Sequence, residues 1–391
     1  LLQQGNHSRL QKRYVTGGQK NGIDLHHDHS RFEVHGYMVG QMERDHMTEF
    51  FKKEFDSFSD LKDATLVDAA RKINADGINV LVDLAGHTRG SWLQLYAMRP
   101  APVLASSIGY ASTLGQGLVD YLITDETLWP ENEQQYCSEK LVYLPDTSMP
   151  GSPREVADRA FTRAEMGLPE SGIVFANFNG HYKFDADSWG HWMRILKRVP
   201  GSVLWIMKGS KTSRENLVRE AVNRGVAAER IVFADNVLGP YHIARLKLVD
   251  VALDSYFHVG GATTMDALFA GVPVVVNRGT NVSNRTGRNL LEVCEMPELI
   301  AADLHAFEDK IRAVECAIAI SVEAADREVA NGQGARGSAK KKFRPAARIV
   351  TVLVEFGAAQ YEGTAHPGTG QREVFVVQEP RCEMVFAGAE M

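Results

Sequence analysis

From Phe32 onward, short apolar runs alternate with stretches in which apolar residues recur every three or four positions. That alternation predicts a parallel sheet with crossover helices. "FEVHGYMV" (Phe32–Val39), "INVLVDL" (Ile78–Leu84), "PVLASSIGY" (Pro102–Tyr110), "DYLITD" (Asp120–Asp125) and "KLVYL" (Lys140–Leu144) are the strands expected of a first lobe, with a helix over Leu61–Ile73. "PDTSMPGSPREV" (Pro145–Val156) has three prolines and no period, and is expected to be a linker. A second set follows: "GIVFANF" (Gly172–Phe178), "SVLWIM" (Ser202–Met207), "RIVFAD" (Arg230–Asp235), "DVALDSY" (Asp250–Tyr256) and "VPVVV" (Val272–Val276). Between its members lie helical stretches such as Asp187–Val199, where Trp189, Trp192, Ile195, Leu196 and Val199 keep one apolar face. The pattern predicts an α/β protein of two Rossmann-like lobes facing across a cleft, at 22–150 and 151–302. Residues 1–21 fit neither lobe. Residues 303–391 begin as a helix, pass through the basic, Gly-rich segment Asn331–Arg348 and lose any steady period, which predicts a diverged, partly disordered tail.

Length and composition narrow this without changing it. The 391 residues suit two domains of average size. With 44% hydrophobic and 24% charged residues the chain can bury an ordinary core, and its net charge of -6 argues against a nucleic-acid partner. No apolar run approaches the length of a membrane span, so no membrane partner is expected. Cys137, Cys294, Cys316 and Cys382 form neither a CxxC pair nor a disulfide framework, which points to a reducing, cytoplasmic setting.

The chemistry concentrates at strand-to-helix junctions. "GGATTMDALFAGVPVVV" (Gly260–Val276) follows the strand "DVALDSY" through the loop "FHVGGA". Gly260 lets the backbone approach a ligand. Free N–H groups at a helix start favour phosphate, Thr263 and Thr264 add hydroxyls, and Asp266 can accept from a ribose. A capped turn with a dipole-friendly acid accounts for the same residues, so both readings stay open. "NFNGHYKFDADSW" (Asn177–Trp189) places Asn179 and Lys183 at the same rim, where a lysine can neutralise a diphosphate. Its "DAD" resembles the DxD metal motif but falls where a helix cap is expected. "GPYHIARLKLVD" (Gly239–Asp250) supplies His242, able to stack on a base, and Arg245, able to reach phosphate; the polar face of an amphipathic helix accounts for them equally well. In the first lobe the loop after "INVLVDL" holds His87 and Arg89, His87 being a candidate acid–base group or a hydrogen-bonded loop residue. The order of a catalytic triad, Cys/His metal spacing and a GxxxxGK[ST] loop are all missing.

Taken in order, "DGINVLVDLAGHTRG", "LYAMRPAPV", "IGYASTLGQGLVDYLITDE", "YCSEKLVYLPDT", "NFNGHYKFD", "WMRILKRVPGSVLWIM", "ERIVFADNV" and "GATTMDALFAGVPVVV" resemble the catalytic region of the protein O-GlcNAc transferases. That family also holds the plant protein O-fucosyltransferases. The resemblance covers about Gly22–Ile300. It implies a GT-B fold and inverting transfer of a sugar from UDP-GlcNAc, a donor substrate rather than a cofactor, to Ser/Thr of acceptor proteins without a catalytic metal. By position it assigns Lys183 to the donor diphosphate, His242 to the uracil, Arg245 to the same helix, Thr263 and Thr264 to the pyrophosphate and Asp266 to the ribose. GDP-fucose as donor and a catalytically inactive remnant of the same fold are the alternatives. The chain departs from the family pattern at Gly180, where a polar amide is usual, and at Gly261–Ala262, which replace a His before the threonines. Ser107 and Ala111 stand for Trp and Pro, and the family's first strand has no clear counterpart, which implies an incomplete first lobe.

Overall fold

The computed structural model describes residues 30–40, 46–88, 90–149 and 154–311, together with the paired strands Phe375–Gln378 and Glu383–Phe386. Arg89, the segment 331–348 and part of the expected linker lie outside the described residues. Contacts divide the chain into two compact units. One is Leu1–Ala157 with Val259–Met265 and Gly279–Val293; the other is Asp158–His258 with Asp266–Arg278 and Cys294–Met391.

In the first unit, β1 (His35–Met38) is followed by helix α1 (His46–Glu54) and pairs in parallel with β2 (Ser57–Asp60). The strand β2 was not legible: "SFSD" has no β-branched residue, and pairing with β1 decides its state. The expected helix over Leu61–Ile73 starts later, as α2 (Leu66–Ala75), because the Thr65 hydroxyl caps Asp68 N at 3.1 Å. A four-stranded parallel sheet completes the unit's described strands: β3 (Val80–Asp83), then helix α3 (Leu93–Ala97), β4 (Val103–Ser106), β5 (Tyr121–Thr124) and β6 (Lys140–Tyr143), laid down in that order. One apolar core serves both sheets, with Tyr37, Ile73, Leu81, Tyr96 and Leu104 at its centre.

In the second unit, β7 (Val174–Asn177) leads to α4 (Ala186–Arg198), β8 (Val203–Met207), α5 (Lys211–Asn223), β9 (Ile231–Ala234), α6 (Gly239–Arg245) and β10 (Val251–Leu253). Helix α7 (Ala262–Phe269), β11 (Val274–Asn277), helix α8 (Val282–Val293) and β12 (Ile300–Ala301) follow. Their six strands form one parallel sheet in the order β12-β11-β10-β7-β8-β9. Strands β7, β8 and β11 are buried almost throughout, as a parallel sheet covered on both faces requires. Helix α4 supplies part of the cover through Trp189, Trp192, Met193, Ile195 and Leu196.

Helix α8 is reached from β11 yet is counted with the first unit. Arg285 grips Glu133 with both nitrogens, Nη1 at 2.7 Å, and donates to the carbonyls of Leu128 and Thr280. Asn289 donates to Asp125 and to the Asp146 carbonyl at 3.2 Å, and pairs with the Thr147 hydroxyl. No helix among the described residues is long and apolar enough to cross a membrane.

Candidate functional site

The strand order of the larger sheet reverses between β7 and β10. Chain connections run outward through β8 and β9 on one side and through β11 and β12 on the other. Loops leaving the carboxyl ends of two such neighbours part in opposite directions and open a crevice, which is where open α/β sheets bind ligands. The loops after β7 and β10 carry most of the residues singled out from the sequence.

Polar side chains stitch this junction. Asn177 ends the apolar run of β7, and its buried amide donates to the Leu253 carbonyl at 2.7 Å. The Asn177 Oδ1 accepts from the backbone N–H of Asn179 at 2.8 Å, turning the chain. Asn179 in turn donates to the buried carboxylate of Asp254 at 3.2 Å. Asn179 is thus a structural stitch between the two loops, with its side chain buried.

Lys183 closes a single 3₁₀ turn, His181–Lys183. Its backbone N–H bonds the Gly180 carbonyl at 2.9 Å. The following residue Phe184 sits against Trp189 and Trp192, and Asp185 caps α4 by accepting from the N–H groups of Asp187 and Ser188, both at 2.9 Å. The carboxylate that opens "DAD" is therefore spent as a helix cap. Burial pushes the Lys183 ammonium below the usual lysine range, and the charge of Asp254 opposes that shift. A half-buried cation in such a place gains most from a ligand bringing more negative charge. Gly180, where the family pattern has an amide, is packed by Tyr182: a Cβ there would lie 2.5 Å from the ring's Cε1.

The loop after β10 leads into α7. Gly260 is buried, Thr263 half-buried, Thr264 3% exposed and Asp266 fully buried. Thr263 and Thr264 stand in the first turn of the helix, as the sequence predicts, while Asp266 is counted with the second unit. The division between the two units passes through this helix, after Met265.

On α6, His242 is buried with its ring edge-on to Phe178, centroids 4.9 Å apart, and its Nδ1 accepts from Arg245 Nε at 3.2 Å. Arg245 corrects the expectation of a phosphate-reaching cation. It is 2% exposed, its Nη1 donates to the Asp235 carbonyl at 2.6 Å, and its guanidinium lies over Phe178 and Trp205. Burial lowers its pKa to about 10 against the opposing charge of Asp235. Its charge is used to hold His242 and the β9 exit loop. The exposed large apolar side chains of this region are Val237, Leu238 and Tyr241.

His87, in the first unit, has its Nε2 3.0 Å from the Leu114 carbonyl and packs edge-on to Tyr110. A carbonyl only accepts, so Nε2 carries the proton and any base chemistry falls to Nδ1. Residues that we did not single out are Asn177, Asp254, Ser255, whose buried hydroxyl accepts from the Asn177 amide at 3.4 Å, and His181. The first three could have been noticed as polar residues closing buried β-branched runs. His181 is a different case, because its partners are remote in sequence.

Known proteins resemble this chain in the same way. The model of glycosyl transferase family 41 matches residues 15–159 and 152–322, extending at both ends beyond Gly22–Ile300. Over 325 residues the chain is 30% identical to the Arabidopsis thaliana protein named "Probable UDP-N-acetylglucosamine--peptide N-acetylglucosaminyltransferase SEC", covering 79% of this chain and 33% of that one. Over 417 residues it is 25% identical to the Caenorhabditis elegans UDP-N-acetylglucosamine–peptide N-acetylglucosaminyltransferase, covering 76% of this chain and 36% of that protein. The chain thus spans about a third of the length of these curated relatives. Among solved structures, a mutant O-GlcNAc transferase of Thermobaculum terrenum superposes with a TM-score of 0.67 at 23% identity, over 90% of this chain and 60% of that one. At that identity the likeness concerns the fold, which is of the GT-B type.

Proposed function

The chain belongs to glycosyl transferase family 41, and from that membership we propose that it transfers N-acetylglucosamine from UDP-GlcNAc to Ser and Thr hydroxyls of acceptor proteins. The anomeric centre inverts and no metal takes part. The observation that carries the proposal is Lys183, a half-buried ammonium fixed on a short turn where the strand order reverses. The acceptor oxygen attacks the anomeric carbon as the bond to the diphosphate oxygen breaks, and Lys183 neutralises the charge gathering on the departing UDP. A preorganised cation at the point where charge develops is the largest single contribution such a site can make. Thr263 and Thr264 bind the diphosphate at the start of α7 and Asp266 the ribose, while His242 faces the base with Arg245 behind it. His87, acting through Nδ1, is the candidate to take the hydroxyl proton. The scattered cysteines, with neither a CxxC pair nor a disulfide framework in the sequence, suit a cytoplasmic setting.

Incubation with labelled UDP-GlcNAc and a Ser-rich peptide tests the whole reading. We expect label in the peptide, and a rise in melting temperature with UDP that exceeds the rise with GDP, since a ligand stabilises the state it binds. Label transfer absent while UDP still binds would remove the catalytic half; GDP stabilising more than UDP would replace the donor.

A further inference from the structure

The turn that carries Lys183 is held from two sides, and one of the two fasteners is a histidine. On the β10 side the fastener is Asn179, through Asp254. On the β8 side it is His181, two residues before the lysine. Its Nε2 lies 2.6 Å from the Met207 carbonyl at the end of β8, and its Nδ1 lies 2.8 Å from the Ser213 hydroxyl in the first turn of α5. Because the carbonyl can only accept, Nε2 carries a proton, and Nδ1 faces the Ser213 hydroxyl, whose single proton lies between it and the Ser210 carbonyl 3.0 Å away.

The pocket is shaped to this ring. Gly209, with φ +54°, passes so close that a Cβ on it would lie 2.4 Å from the imidazole Cε1 and Nδ1. Phe184 lies against the ring with centroids 5.2 Å apart, and Phe233 stands 6.5 Å away. Burial lowers the His181 pKa, the bond to Met207 opposes that, and the charge of Arg214 reinforces it, so the ring is neutral near pH 7. A neutral, doubly bonded imidazole adds no charge of its own beside the lysine.

We propose that His181 is a positioning residue for the transfer reaction: it ties the 3₁₀ turn to β8 and α5, and so fixes where the Lys183 ammonium meets the donor diphosphate. The proposal rests on the donor-binding role given to Lys183 above. Without the tie the turn loses its link to β8 and α5 and keeps those toward the β10 loop and α4, among them the Asn179 stitch, the Tyr182–His258 ring contact and the Asp185 cap. The lysine then has more positions to occupy, and ordering it becomes part of the cost of binding.

The test is a double-mutant cycle read by calorimetry with UDP, alongside transfer rates and melting temperatures. His181→Leu keeps apolar volume and removes both bonds; we expect UDP to bind about tenfold more weakly, the size of one lost hydrogen bond that orders a ligand-binding group. His181→Gln, whose amide can donate to the Met207 carbonyl, is expected to recover to within about threefold of the parent. In a Lys183→Ala background, His181→Leu is expected to change UDP affinity no further, because the tie acts through the lysine. If His181→Leu does not fold, Ser213→Ala, which removes the Nδ1 partner, carries the same cycle with an expected loss of about threefold. Equal losses with and without Lys183, or no loss in either, overturn the proposal. A parent chain that does not bind UDP overturns instead the donor assignment on which it rests.

Discussion

Each unit holds one larger parallel sheet, of four strands in the first and six in the second, but the two sheets grow differently. In the first unit β3, β4, β5 and β6 are added one after another in one direction, so among the described residues of that sheet no two neighbours send their connections opposite ways. In the second, chain growth turns back at β7 and resumes on its other side with β10. Residue use follows. Where growth reverses, Asn177, Asn179 and Asp254 are spent on holding two loops together, and the cation at the junction is half-desolvated. The candidate in the first unit, His87, instead caps a carbonyl of its own unit and packs on a tyrosine. A chemically attractive side chain therefore means little until the topology around it is known. The reversal adds a crevice beside a lysine that the sequence places only at a strand-to-helix junction.

The comparison can be broken by substitutions taken in order of expected size. Lys183→Ala should lower the transfer rate by about 10²–10³ fold, the usual effect of deleting a preorganised stabiliser of developing charge. Its melting temperature should hold or rise, since a half-buried ammonium is removed. A loss of activity matched by a loss of stability would instead make Lys183 structural. Asn177→Ala should cost roughly 1–3 kcal/mol of stability in a denaturant titration, because it leaves the Leu253 carbonyl and the Asn179 N–H without their buried partner. His87→Ala should cost about 1 kcal/mol, the worth of its bond to Leu114, and leave UDP affinity unchanged. A weakened UDP affinity in that variant would erase the contrast between the units.

The smallest effect concerns pH. His181 has its folded pKa below the unfolded value of about 6.5. The unfolded chain thus binds its proton first, so stability is whole above that value and declines as the pH falls through it. His181→Gln should flatten this decline in melting curves taken between about pH 7 and 5.

Much of the second unit was legible because a parallel sheet buried on both faces needs apolar, β-branched runs, and these stand out in "VFAN", "VLWIM" and "VVVN". The same runs put Lys183 and Thr263 at strand-to-helix junctions. The rest depended on partners far along the chain. Arg245 looks like a surface cation from its helix spacing, yet the aromatic rings of Phe178 and Trp205 hold it inside. His181 shows nothing locally of Met207, Gly209 or Ser213. Strands β2 and β12 are too short and too polar, or too brief, to declare themselves without the neighbour that pairs with them.

The grip of Arg285 on Glu133 joins positions 152 residues apart. During synthesis the acidic partner leaves the ribosome well before its arginine. At typical elongation rates the interval is roughly 8–30 s. For that time Glu133 and Asp125 wait without their α8 partners, and the first unit, though begun first, is finished only after β7 to β11 have been made. A nascent chain of this protein therefore cannot complete its first unit until the sequence as far as α8 has emerged.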